Sequence, residues 1–175
     1  MTIVLDASNL VLGRLASETA KILIGKVDKV TGMGPDGKTV TYDYKSGDKV
    51  IIINADKAVI TGNPLTTTKR YLQRIHIKVN TNPRRGPFHP RQPEDIVRRA
   101  VRGMLKFKTP TGKDRYKNLH VHVGTPTEEL KKQSVRFANI SAENLLCKRI
   151  TVGELGRRIS NYSSRMDFVE KETKW

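Results

Sequence analysis

Several residues of this chain have the type and spacing to do chemistry, and each would do a different kind. His120 and His122 alternate onto one face of a strand-like run, a spacing at which two imidazoles can share a metal ion. No cysteine or acid stands where it would complete the ligand set, so a partly exposed strand face or RNA contacts are the better reading. His89 lies among arginines, which repel a metal cation. Gly32-Met33-Gly34-Pro35-Asp36-Gly37 matches the spacing of a dinucleotide-binding loop. It contains a proline, however, and it runs into β-prone Thr39-Val40-Thr41-Tyr42 where a helix is required. Asp6 and Asp56 fall near the ends of apolar runs, where α/β enzymes place acids, but turn and cap formation accounts for them equally well. Cys147 stands beside Lys148 and Arg149, the setting of a reactive thiol, although a buried structural thiol is the simpler expectation. These groups do not converge on a reaction. The chain is expected not to be an enzyme and to use no metal, no cofactor and no small-molecule substrate.

The strongest chemical signal is positive charge. Residues 69–117 hold fifteen lysines and arginines against three acids, a net +12 of the chain's +16. Such a density repels itself and favours a polyanionic partner. Arg84, Arg85, Arg91, Arg98, Arg99 and Arg102 dominate its centre, and the planar guanidinium fork suits phosphate better than an ammonium does. Nucleic acid is therefore the expected partner. A membrane surface is disfavoured, because the basic segment carries valine and alanine on its apolar side and no aromatic anchor. The candidate nucleic-acid-contacting residues are Lys69, Arg70, Arg74, Arg84, Arg85, His89, Arg91, Arg98, Arg99, Arg102, Lys106, Lys108, Lys113, Arg115 and Lys117.

These side chains need elements to hold them. Ile3-Val4-Leu5 reads as a strand, residues 12–24 as an amphipathic helix stopped by Gly25, and Val50-Ile51-Ile52-Ile53 as a strand buried on both faces. Strand, helix and strand in that order predict a parallel sheet covered by helices. Residues 27–47 read as a hairpin-like insertion. Residues 64–79 fit either a helix or, in part, a strand. Four prolines between Pro83 and Pro93 make a stiff basic loop. From Pro93 to about Lys106 the helical period is clearest: Ile96, Val97, Ala100, Val101, Met104 and Leu105 fill one side, and Arg98, Arg99, Arg102 and Lys106 the other. Residues 107–113 read as a second loop, residues 119–123 as a strand, and Thr151-Val152-Gly153-Glu154 as a helix start with a capping box.

At 175 residues the chain is the size of one domain. It shows no signal-peptide pattern and no long apolar run, and its one cysteine fits a reducing cytoplasm.

The chain resembles the universal large-subunit ribosomal protein L-thirteen family. The resemblance lies in Leu12-Gly13-Arg14-Leu15-Ala16-Ser17, Val50-Ile51-Ile52-Ile53-Asn54-Ala55 and Ile60-Thr61-Gly62-Asn63. It continues through Asn80-Thr81-Asn82-Pro83-Arg84-Arg85-Gly86-Pro87-Phe88-His89 to Val101-Arg102-Gly103-Met104-Leu105, and ends at Leu119 to Gly124 with Pro126. It covers most of residues 2–126 and looks closest to the archaeal and eukaryotic branch. It implies a three-layer α/β/α fold around a mainly parallel sheet, and it tips residues 64–78 toward helix. The implied organisation is a single rRNA-binding α/β domain at 1–126, with the 27–47 insertion and a basic loop at 80–93. A C-terminal extension at 127–175 would pack on the domain or on neighbouring ribosomal proteins. The implied function is a structural constituent of the large ribosomal subunit that binds and organises rRNA during assembly, in the cytoplasm. Lys106 replaces the family's usual proline, Thr111 a usual basic residue, and the 27–47 insertion is long. The rival readings are a nucleotide-using or nucleic-acid-modifying α/β enzyme and a DNA-binding regulator.

Overall fold

A computed structural model describes residues 2–160 apart from Asp28, Ser46, 127–132 and Asn144. The remainder of the expected C-terminal extension, 161–175, lies outside the described residues.

The centre is a parallel sheet. The apolar run at the N-terminus forms β1 (Thr2–Asp6), and the valine and isoleucines of residues 50–53 lie in β4 (Lys49–Ile53). They pair in parallel from Thr2 opposite Lys49 to Asp6 opposite Ile53. On one edge β6 (Leu119–Val121) pairs with β4, and on the other β7 (Ser134–Val135) pairs with β1, so the order is β6-β4-β1-β7. The expected α/β class, with a mainly parallel sheet, is what the chain adopts. Ile3, Leu5, Val50, Ile52, Leu119 and Val121 share one face by register and belong to the main core cluster. On the opposite face Val4, Ile51 and His120 align, and the histidine is exposed on the edge strand.

Helix α1 (Leu12–Ile24) buries Leu12, Leu15, Ala16, Thr19, Ala20, Ile22 and Leu23 over that core. It ends as the sequence indicates. Gly25 takes the left-handed conformation (φ 75°), and its N–H donates to the Ile22 carbonyl at 2.8 Å. The 27–47 insertion is a hairpin of β2 (Lys29–Met33) and β3 (Thr39–Asp43), so the glycine-rich segment forms a strand end and a turn instead of a nucleotide loop. Met33 and Arg136 exchange two backbone hydrogen bonds of 2.8 Å, which docks the hairpin just beyond β7 and shields that edge of the sheet. Gly32 permits this: an added Cβ would lie 2.3 Å from Val135 Cγ1.

The ambiguous segment is helix α2 (Pro64–His76), which follows the short strand β5 (Val59–Thr61). Asn63 caps α2, its side chain accepting from the Leu65 N–H at 3.1 Å, and proline occupies the first turn. The expected basic helix is α3 (Pro93–Met104). The expected loop at 107–113 is corrected. A helix, α4, spans Pro110–Lys117, started by Thr109, whose hydroxyl accepts from the Gly112 N–H at 3.2 Å. The Thr109-Pro110 pair is a legible cap followed by a first-turn proline. Finally β8 (Arg149–Thr151) pairs antiparallel with β5 and leads into α5 (Val152–Ser160). There the Thr151 hydroxyl accepts from the Glu154 N–H at 3.1 Å, as the capping pattern indicates.

Candidate nucleic-acid interface

Two sequence expectations about side chains fail. Cys147 is exposed, not buried. Met104 does not join the core. It is 42% exposed at the last position of α3, where its sulfur accepts from the Ser17 hydroxyl at 3.4 Å. The helical period puts it on the apolar side, but the helix ends there and overhangs the layer. Pro93, Ile96, Val97 and Val101 form the buried stripe of α3, with Leu105 just beyond it. That stripe is committed to the core.

The basic residues reach solvent on four pieces of chain. Lys69, Arg70 and Arg74 are exposed on α2. Arg84, Arg85 and Arg91 are exposed in the proline-rich loop. That loop contains one short 3-10 turn, Pro83–Arg85, within otherwise irregular backbone. Asn82 sets it up, its side-chain oxygen accepting from the Arg84 N–H at 3.2 Å. Arg99 is exposed on α3, and Lys106, Lys108, Lys113 and Lys117 on the turn and helix that follow. Among the described residues, one member of the set makes an ion pair: Lys117 with Asp114 at 3.3 Å, both largely exposed.

Arg98 and Arg102 differ from the expectation. Both are half-buried, with aromatic rings of the turn and helix that follow lying against their guanidinium groups. The Arg98 guanidinium lies 4.9 Å from the centroid of Tyr116, and that of Arg102 lies 3.9 Å from Phe107. The two rings meet edge to face at 5.2 Å. The result is a chain of cation–π and aromatic contacts that fastens α4 to α3. Arg98 Nε is buried with no hydrogen-bond partner, as befits a group held by packing.

Two concavities bring some of these residues together. One, of about 570 Å³, is lined by Arg99, Arg102, Lys106 and Lys108 around the 105–109 turn. The other, of about 360 Å³, lies between α2, α3 and the loop, and brings Arg74, His89 and Arg99 together. Arg99 borders both, so the two form one continuous cationic surface. Lys69, Arg70, Arg84, Arg85, Arg91, Arg98 and the α4 cations Lys113, Arg115 and Lys117 line neither concavity. The sequence reading missed Tyr71, Phe107 and Tyr116, which hold or border these arginines. The i, i+3 spacing of Tyr71 and Arg74 was the available signal.

The end of the sheet where an enzyme would place its acids holds a different cleft, of about 450 Å³, with Asp56, Lys57, Arg149, Glu154 and Arg157 in its lining. Asp6 does not reach it as a free carboxylate: Oδ1 accepts from the Ser8 N–H, the Ser8 hydroxyl and Asn54 Nδ2 at 3.0, 2.7 and 2.8 Å, fixing the turn after β1. His120 and His122 have no third ligand beside them, since no group of three or more metal-binding side chains occurs among the described residues.

The sequence profile of the family described as Ribosomal protein L13 matches residues 1–128. The chain belongs to that family. Among its relatives, the large ribosomal subunit protein uL13 of Methanopyrus kandleri is 36% identical over 159 residues, covering 89% of this chain and 85% of that one. The uL13 of Methanococcus maripaludis is 36% identical, covering 89% and 95%. That of Methanosphaera stadtmanae is 38% identical over 158 residues, covering 89% and 93%. All three are archaeal, in line with the branch the sequence resembles.

Proposed function

We propose that this chain is a structural constituent of the cytoplasmic large ribosomal subunit, and that it binds and organises large-subunit rRNA through the cationic surface of α2, the 83–91 loop, α3 and the 105–117 segment. The observation that carries this reading is the continuity of the two concavities through Arg99, with almost no acidic counter-charge in contact. Lysines and arginines there displace condensed counterions and clamp phosphates, which positions RNA segments against the fold. A-form RNA has a major groove too narrow for side chains, so the contacts fall on phosphates, 2′-hydroxyls and irregular loops. Neighbouring ribosomal proteins are further partners in this reading.

Ultraviolet crosslinking in cell extract, with the bound RNA and the crosslinked peptides both sequenced, tests it. Large-subunit rRNA attached to peptides from 69–117 is the expected result. Crosslinks dominated by messenger RNA or DNA, or confined to the β2–β3 hairpin, would overturn it.

A further inference from the structure

The smaller concavity combines an apolar floor with cations on its rim. Its floor is apolar: Leu12 and Ile96 are almost fully buried beneath it, and Ala100, Pro90 and Ile77 close its sides. Tyr71 lies in its wall with the Arg74 guanidinium 6.0 Å from its ring centroid. Ile77 is 58% exposed there, an apolar side chain left to solvent among arginines. Arg74 stands on one side and Arg99 on the other, with His89 beside them. The Arg99 Nη1 donates to the Phe88 carbonyl at 3.4 Å, which ties the loop to the rim.

A site of phosphate contacts alone needs no apolar floor. A protein side chain would fill the floor but has no use for two arginines on the rim. A nucleotide uses both: a flat base with apolar faces, flanked by phosphates. At about 360 Å³ the concavity lies in the size range of single small-ligand sites, and an apolar lining with a few convergent polar groups is typical of them. Resting on the RNA-binding reading above, we infer that the groove between α2, α3 and the 87–90 loop takes one unstacked RNA nucleotide, its base on the Tyr71–Ile77–Ala100 surface and its phosphates on Arg74 and Arg99. Duplex RNA keeps its bases stacked, so only a bulged or loop nucleotide can enter. The low aromatic content of the chain predicts little base stacking overall; this groove is the local exception.

The test compares two loop-free RNA duplexes that differ by one bulged 2-aminopurine nucleotide, each titrated with the full chain. The bulged duplex should bind roughly tenfold more tightly, as one stacked base provides, with a change in 2-aminopurine fluorescence on binding. Ala100→Leu narrows the groove and Ile77→Ser weakens its wall, and neither alters charge. Each should bring the preference below about twofold, with a smaller effect on the paired duplex, which relies on the cations. Ile77 is exposed enough that its substitution leaves the fold intact should Ala100→Leu disturb it. Equal wild-type affinities with no fluorescence change would overturn the assignment and make a protein side chain the better occupant. A preference that survives both substitutions would overturn it too. Weak binding of both duplexes would instead sink the RNA-binding reading beneath it.

Discussion

Arg98, Arg99 and Arg102 lie close together on α3 yet do different work. Arg99 is free of acids and borders both concavities, whereas Arg98 and Arg102 lie over Tyr116 and Phe107. Arg99→Ala should change stability by no more than about 0.5 kcal/mol, the usual limit for an exposed site, while weakening RNA binding several-fold. Arg98→Ala should instead lower stability by roughly 0.5–2 kcal/mol through the lost cation–π contact, with the smaller effect on RNA. Thermal melting and filter binding on both variants check this. If Arg98→Ala melts like the wild type and binds worse than Arg99→Ala, the roles are reversed. Two tyrosines add a pH dependence. Burial raises the phenol pKa of both Tyr44 and Tyr71 above the ordinary 10.0, with Asp48 adding to it at Tyr44 and the nearby Arg74 opposing it at Tyr71. A raised folded value means the neutral phenol is favoured by folding. That contribution is complete below the unfolded pKa and is lost as pH rises through the folded one. As pH rises above the ordinary tyrosine value of 10.0, Tyr71→Phe should therefore lose less melting temperature than the wild type does.

At the scale of elements, α3 and α4 act as one unit. Val101 is fully buried and Met104 is not, so Val101→Ala should cost about 1.5–3 kcal/mol and Met104→Ala less than about 1 kcal/mol. Chemical denaturation of both variants tests whether the core ends before the last turn of the helix. Gly112 is where α4 lies closest to the preceding turn. An added Cβ would stand 2.0 Å from the Lys106 carbonyl oxygen, so the backbone of α4 must shift to accept it. Gly112→Ala is expected to cost roughly 1–3 kcal/mol by overpacking and to loosen the contact between Phe107 and Tyr116. A Gly112→Ala protein with unchanged stability would mean that α4 is not seated on the 105–109 turn as described.

For the whole molecule the governing quantity is the +16 charge. If about eight cations meet phosphates, log K for RNA should fall with log salt at a slope of roughly −6 to −7. A slope shallower than about −2 would mean that the cationic surface is not the main binding site. The free protein should respond in the opposite sense, with a melting temperature that rises as salt screens its self-repulsion. Measuring both over the same salt series separates the two effects, since one concerns the partner and the other the bare fold.

Periodicity was enough to read α1, β1, β4 and the buried stripe of α3, because each element shows its burial pattern within its own residues. Charge density was enough to point to a polyanionic partner and to locate the cationic stretch, because charge is carried by residue type. The position of α4 was not legible in the same way. Its helix signal was a cap and a proline, weak beside the strong loop composition around it. Whether an arginine meets phosphate or an aromatic ring depends on what packs across from it. Arg98 and Arg99 are neighbours with identical chemistry, and only the placement of α4 against α3 separates them. The same holds for Met104, apolar by period but exposed because the helix overhangs its layer, and for the hairpin at 27–47, whose docking beyond β7 depends on contacts a hundred residues apart in the chain. Local sequence determined the elements and the total charge; the tertiary structure decided which charges remain free, because burial is a property of the packed pair and not of either residue.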